Sequence, residues 1–410
     1  MKKKKILIVS HAMEIGGVEK ALLGLLENID TKEYQVDLFL LRHEGELLKY
    51  IPDNINVLPE IPAYSVLARS MKDTLKEGHV CLTLARLLGK HKAKVFDKKN
   101  KYTHSSVAIE YSHKYTKRFM PDIQPDIQYD LAISFLTPHY FVTEKVNAKC
   151  KMSWIHTDYS MVQVDIKSEL KMWEAYDYIV SISDDVTRSF LRTFPTLENK
   201  IIVIENILPK KLIDKQAREH VSEIFESDYI NLLSIGRFSD AKNFDNVPDI
   251  CRRILEKGIK VKWYLIGYGG DEVLIRKKIT EAGMQNYVIL LGKKENPYPY
   301  IRMCDIYVQP SRYEGKCVAV REAQMLGKPV IITNYATSGS QLENGVDGVI
   351  VPMDNKECAL AIAEILQNSK LQKKLTGNVL KRDYTNCEEI NKLYDFICKS
   401  PAVICQEKNK

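Results

Sequence analysis

Pro310-Ser-Arg-Tyr-Glu314-Gly-Lys-Cys-Val-Ala-Val-Arg-Glu322-Ala-Gln-Met-Leu-Gly-Lys-Pro329-Val-Ile331 is the stretch on which the reading of this chain turns. A short β-rich run, Asp305–Gln309, leads into it, and another, Pro329–Thr333, closes it. Between them Glu314-Gly315 marks a loop, and Val318–Leu326 has helical spacing. Strand, loop, helix and strand in that order belong to a parallel sheet with crossover helices. Glu314 stands in the loop and Glu322 a turn or more into the helix, roughly 10 Å away at helical rise. The N–H groups of Lys316, Cys317 and Val318 open the helix without intrahelical partners and face any anion or hydroxyl placed there. Two carboxylates on either side of such a helix end suit a ligand with a diphosphate in the middle, a ribose on one side and a hexose on the other. The spacing alone also fits two solvated glutamates at a helix start. The strand–loop–helix around them and the small residues of the helix favour a site.

Working outward, the same alternation covers nearly the whole chain. In the second half, strands are expected at Ile230–Ile235, Val261–Ile266, Tyr287–Leu290, Asp305–Gln309, Pro329–Thr333 and Gly348–Val351. Helices are expected near Asp245–Lys257, Asp271–Ala282, Val318–Leu326 and Glu357–Gln367. The first half offers strands at Ile6–Ser10, Gln35–Leu41, Asp130–Phe135, Lys151–Ile155, Tyr178–Ser183 and Ile201–Ile204. Its helices are Val18–Asn28 and Asp185–Phe194, the latter capped by Ser183 or Asp184. Glu205–Asp228, polar and holding Asn206 and Pro209, reads as the interdomain linker. The chain is therefore expected to be α/β with two doubly wound domains. They span 1–207, rejoined by about 383–400, and 208–382. Ligands of such sheets bind beyond the C-terminal ends of the strands, so the loops there are the candidates.

Several of those loops carry chemistry. Ser234-Ile-Gly236-Arg237-Phe-Ser-Asp-Ala-Lys242 follows the first strand of the second half. An Arg-x4-Lys pair alone is usually solvated surface charge, but after a glycine at a strand's end two fixed cations suit an anionic ligand. Leu265-Ile-Gly267-Tyr-Gly269-Gly270 is a glycine-rich strand–helix turn, weak evidence by itself. Gly16-Gly17 begins the first helix, where a backbone without Cβ atoms lets a phosphate or sugar come close. Ser153-Trp154-Ile155-His156-Thr157-Asp158 ends a strand with a histidine, which elsewhere is more often structural than chemical.

Glu314, Glu322 and Gly327-Lys-Pro329-Val-Ile331, together with Gly236-Arg237 and Lys242, resemble the motifs of glycosyltransferase family 4 (group 1), the retaining GT-B enzymes. The resemblance implies two Rossmann-like domains facing across a cleft, with a C-terminal helix around Cys387–Cys398 crossing back to the first. It also implies transfer of a hexosyl group, with retention, from a nucleotide sugar to a saccharide acceptor. A UDP-sugar is favoured, and a lipid-linked acceptor in bacterial surface polysaccharide synthesis is expected. By the same resemblance, Arg237 and Lys242 meet the diphosphate, Glu314 the hexose and Glu322 the ribose. Gly16, Gly17, Gly236, Gly267 and the backbone of Lys316, Cys317 and Val318 line the donor, and His156 lies near the reacting carbon. Lys316-Cys317 stands where the family often has an aromatic or Asn followed by Gly, so the sugar stays open. The match is loose from Asn54 to Gln128.

Bulk properties narrow the field. The 410 residues are 45% hydrophobic and 28% charged, an ordinary globular composition for two domains. Nine scattered cysteines without Cys-x-x-Cys spacing suit reduced thiols, and no apolar run is long enough to span a bilayer. No Asp-x-Asp occurs, so neither a metal nor another cofactor is expected beside the nucleotide sugar. Val66–Met120 holds thirteen Lys/Arg against four Asp/Glu, a local +9 within a chain of net +7. With Val80–Leu84 and Leu87-Leu88 interleaved, it is expected to meet an anionic membrane surface. A solvated basic hairpin is the plainer alternative. The expected place is cytoplasmic, peripheral on the inner face of the membrane. A nucleic-acid partner is disfavoured, because no aromatic-lined groove or recognition motif accompanies the charge. Two competitors share the fold: a nucleotide-sugar 2-epimerase and a non-catalytic nucleotide-sugar-binding subunit.

Overall fold

The computed structural model describes residues 3–65, 67, 71–102, 105–136, 140–157, 159–160, 162–222, 225–314 and 317–398. Lys316 with its neighbour Gly315, and also Val66, Arg69 and Asp158, lie outside the described residues, as does the side chain of Lys72. The chain forms two compact units, Met1–Ile207 with Asn386–Lys410, and Leu208–Thr385.

In the first unit, seven strands form one parallel sheet: β1 Lys4–Ser10, β2 Tyr34–Leu40, β3 Asn56–Val57, β4 Tyr129–Ser134, β5 Ala148–Ile155, β6 Tyr178–Ser181 and β7 Ile201–Val203. Their order is β3-β2-β1-β4-β5-β6-β7. The second unit holds β8 Ile230–Ile235, β9 Val261–Ile266, β10 Val288–Gly292, β11 Ile306–Gln309, β12 Val330–Thr333 and β13 Val349–Val351. Their order is β10-β9-β8-β11-β12-β13. The strands are apolar runs because helices cover both faces of each sheet. Ile6, Leu7, Ile8, Leu232, Leu233 and Leu265 are wholly buried. Each sheet reverses direction once, between β1 and β4 and between β8 and β11, and such a reversal opens a crevice at the strand ends. Each unit is thus a doubly wound, Rossmann-like parallel sheet.

Local signals fix several boundaries. Ser183 caps the helix Asp184–Thr193, its hydroxyl accepting from Val186 N at 3.2 Å, a contact worth about 1 kcal/mol. Asp354 does the same for Asn355–Gln367.

The linker expected over Glu205–Asp228 is corrected. The chain passes between units at Ile207–Leu208, and Lys210–Gln216 is a helix of the second unit. Leu208, Leu212 and Ile213 are buried there, and the lysines between them masked this apolar face in the sequence.

The loosely matched stretch of the first unit is mainly helical. Val80–Asn100 and Val107–Thr116 pack as a hairpin, joined through Ala93, Val107 and Tyr111. After Thr385 the chain returns to the first unit, where Ile390–Cys398 is a helix and Cys387–Glu389 only a single 3-10 turn. Tyr394 stacks on Tyr34 at 4.8 Å, and its hydroxyl accepts from Asp30 N at 2.8 Å. No helix among the described residues is long and apolar enough to cross a membrane.

Candidate active site

The reversal between β8 and β11 decides what meets in the second unit. The loops leaving these neighbouring strands lie side by side, and Arg312 N donates to Ala241 O at 2.8 Å. Lys242 ends a 3-10 turn, Asp240–Lys242, and folds back over Gly236. A Cβ at Gly236 would stand 2.9 to 3.2 Å from Cε, Cδ and Cγ of Lys242, so glycine there makes room for the lysine stem. A Cβ on Gly267, whose φ is +155°, would lie 1.9 Å from the Gly236 carbonyl oxygen. The two glycines thus let the loops after β8 and β9 touch.

Lys242 Nζ donates to Glu314 Oε1 at 2.5 Å, with side chains 18% and 12% exposed. The same oxygen accepts from Ser311 Oγ at 2.7 Å. Behind Ser311 runs a buried relay on one face of the strand. Gln309 Nε2 donates to Ser311 Oγ at 2.9 Å, and Tyr307 OH to Gln309 Oε1 at 2.7 Å. Thr337 Oγ1 holds the Glu314 carbonyl at 2.7 Å. Cys317 Sγ stands 3.9 Å from Lys242 Nζ. Burial pushes the Cys317 thiol up to about 11, so at neutral pH it stays uncharged. Burial works against the Lys242 charge, but Cys317 and Glu314 outweigh it and hold its pKa above the usual value. With the thiol neutral, Glu314 supplies the countercharge.

The helix runs Val318–Met325 with Cys317 as its N-cap. The expectation that the Cys317 amide stands open is corrected, because it donates to Gln341 Oε1 at 2.7 Å. Gln341 Nε2 returns a bond to Cys317 O at 3.3 Å, so one amide side chain clamps the helix start. Val318 begins that helix, and Lys316 lies outside the described residues. Glu322 is 4% exposed and accepts from Tyr298 OH at 2.7 Å. Arg237 is exposed on the loop after β8. Lys242, Glu314, Cys317 and Gly236 are thus brought together, with Gly267 beside Gly236. Ser311, Gln309, Gln341 and Tyr298 were not singled out from the sequence. Only the polar alternation of Gln309 and Ser311 in an apolar setting could have pointed to the first two.

In the first unit, the equivalent crevice lies past β1, β4 and β5. His156 follows β5, with its ring 4.8 Å from that of Phe135, the residue after β4. Burial pulls its pKa down to about 4, against a hydrogen bond to the Phe135 backbone, and Nε2 is buried with no partner. Above that pH the ring is neutral. With Nδ1–H on the Phe135 carbonyl, Nε2 keeps a lone pair for a hydroxyl donor. His11, after β1, is likewise lowered to about 4 by burial and has an unpartnered Nε2. Gly16 precedes the helix Gly17–Asn28, and a Cβ there would meet the Glu19 carboxylate at 2.2 Å. A carboxylate therefore already occupies that positive helix end. Gly17 has open space around its Cα. Among the described residues, no three His, Cys, Asp or Glu side chains gather as metal ligands.

Fold and crevice define a GT-B protein with a polar, cation-bearing site in its second unit. Residues 215–382, within the second unit, match the family model of glycosyl transferases group 1, so that part of the chain is similar to that family. An uncharacterised glycosyltransferase of Methanocaldococcus jannaschii is 24% identical over 177 residues, 42% of this chain and 43% of that protein. A relative from Campylobacter jejuni is an N,N'-diacetylbacillosaminyl-diphospho-undecaprenol alpha-1,3-N-acetylgalactosaminyltransferase. It is 26% identical over 266 residues, 59% of this chain and 66% of its own. The matched stretches therefore span less than half of the first relative and about two thirds of the second. The crystal structure of HepE from Anabaena in complex with UDP aligns over 95% of this chain and 98% of its own. Its TM-score is 0.60 at 15% identity, a likeness of fold.

Proposed function

We propose that the protein transfers a hexosyl residue, with retention, from a nucleoside-diphosphate sugar to a hydroxyl of a lipid-linked saccharide in surface polysaccharide synthesis. UDP is the favoured nucleotide. The second unit takes the donor and the first the acceptor. The observation that carries the reading is the convergence of Lys242 and Glu314 from neighbouring loops at the β8/β11 reversal, inside the segment matched to the family. Arg237 and Lys242 stabilise the departing diphosphate, as fixed cations do for charge that develops in a transition state. Glu314 positions the hexose, Glu322 the ribose, and neutral His156 accepts a hydrogen bond from a sugar hydroxyl. The Campylobacter relative is named for a diphospho-undecaprenol acceptor, and the Anabaena neighbour holds UDP. Those names support the choice of acceptor class and nucleotide.

Two further features belong to this reading. No divalent metal takes part, because the protein's own cations meet the diphosphate. The basic hairpin of the first unit rests on an anionic membrane surface at the cytoplasmic face, where a lipid-linked acceptor lies.

The test is to incubate the purified protein with UDP-, GDP- and ADP-sugars. Slow donor hydrolysis should appear for one of them, and transfer should appear once a lipid-linked acceptor is added. Proton NMR of the product should give the donor's anomeric configuration. Conversion of the donor to its 2-epimer, or no turnover of any donor with any acceptor, would overturn the proposal.

A further inference from the structure

We propose that Glu314 and the donor's diphosphate compete for Lys242, so that the charged middle of the donor releases Glu314 to its sugar end. This deepens the reading given above and rests on it. Glu314 and Lys242 are each other's countercharge: Nζ and Oε1 are 2.5 Å apart, and both side chains are largely withdrawn from water. Removing one member of such a pair leaves the other charge buried and uncompensated. A lysine is a compact charge on a flexible stem. The Lys242 stem lies along the Gly236 backbone, where no Cβ obstructs its swing. A diphosphate carries more negative charge than one carboxylate and outbids it for the ammonium.

Glu314 does not lose its place when Lys242 leaves. Ser311 Oγ holds the same Oε1 at 2.7 Å, and Gln309 and Tyr307, both wholly buried, brace Ser311 from behind. The Thr337 hydroxyl fixes the Glu314 carbonyl. What remains is an oriented carboxylate short of one hydrogen-bond donor, and a hexose hydroxyl supplies it. The exchange couples the two ends of the donor, since the diphosphate takes Lys242 and the sugar satisfies the carboxylate left behind. After transfer the sugar is gone and Glu314 again lacks a donor, so its renewed competition for Lys242 weakens the hold on the nucleoside diphosphate relative to the intact donor. The exchange therefore favours product release.

The experiment is calorimetric binding of UDP to the full chain at low salt, with GDP and ADP as alternatives. The proteins are the wild type, Glu314→Gln, Lys242→Met and the double variant, each checked for an unchanged melting profile. Glu314→Gln keeps the shape and removes the competing charge, so it should bind UDP about fivefold tighter or more, the low end of coupling between linked sites. Turnover should fall in the same variant, because the carboxylate is missing. In the Lys242→Met background the gain should vanish, which isolates the pair from a general field effect. Unchanged or weaker UDP binding by Glu314→Gln would overturn the exchange, as would a gain that persists without Lys242. Failure of all three nucleotides to bind the wild type would instead sink the donor-site reading, and the exchange with it.

Discussion

Lys242 and Arg237 stand on one loop but in different surroundings, one nearly enclosed against Glu314 and the other exposed. Both are assigned to the departing diphosphate. Alanine at either should lower turnover of a true substrate pair by at least about a hundredfold, the usual loss for one preorganised contact. Near-wild-type kinetics for both would remove the assignment. Because these cations replace a metal in the proposal, turnover should survive EDTA. Loss with EDTA that manganese or magnesium restores would show another arrangement. His156 gives a pH prediction. Its pKa is pulled down from 6.5 to about 4 by burial, so it stays neutral as pH falls through the ordinary histidine range. The folded state therefore binds fewer protons than the unfolded state between those values, and stability from this residue is lost as pH drops from 6.5 towards 4. The kcat/KM profile should show no histidine limb near 6.5. Such a limb, abolished in His156→Gln, would contradict the neutral-acceptor role. Lys242 and Glu314, which the structure brings together, each stand in a motif whose spacing is local and can therefore be read from the sequence. Gln341, 24 positions from Cys317, and Tyr298, 24 from Glu322, cannot be read that way, since partners in separate loops leave no period in the sequence.

Among the elements, β8 and β9 have the bounds expected from apolar runs between turn signals, because buried parallel strands are apolar on both faces. The two-residue edge strand β3 was not seen, being too short for any pattern. The helix Val80–Asn100 was not delimited either, because its apolar residues do not all face inward. Leu82, Ala85 and Ala93 are buried, while Val80, Leu84, Leu87, Leu88 and Val95 are exposed at helical spacing, with Lys90, Lys94 and Lys98 exposed among them. An exposed apolar stripe bordered by lysines is the form of a helix that lies in a membrane interface. Each basic group near an anionic leaflet adds about 1 kcal/mol. Binding to vesicles should rise with their content of anionic lipid and fall with salt. It should drop sharply when Lys90, Lys92, Lys94, Lys98 and Lys99 become Gln, or when Leu84, Leu87 and Leu88 become Ser. No binding to anionic vesicles at low salt, or binding that ignores salt, would end the membrane assignment without touching the donor site.

At the scale of the whole chain, each unit has its own core, but only one is continuous in sequence. The second unit begins and ends at neighbouring points, since Leu208 N donates to Thr385 O at 2.8 Å, and Trp263, Ile250 and Ile362 are wholly buried within it. The first unit depends on residues that arrive after the second is complete. Leu393 is fully buried and Ile390 nearly so, Tyr394 stacks on Tyr34, and Phe396 packs on Tyr178 at 4.6 Å. A fully buried large apolar side chain contributes about 1.5–3 kcal/mol. Losing several of them at once approaches the whole stability of a typical domain, roughly 5–15 kcal/mol. Truncation after Thr385 should therefore abolish or strongly lower the unfolding transition of the first unit and leave that of the second in place. Residues 208–385 expressed alone should unfold cooperatively, and UDP should raise their midpoint, since a ligand stabilises only the unit that binds it. Calorimetry of the full chain, the truncated chain and the fragment, each with and without UDP, separates these outcomes. A single transition lost in every truncated form would mean that the units fold only together. A midpoint that UDP raises in the full chain but not in the fragment would mean that the second unit does not complete the donor site by itself.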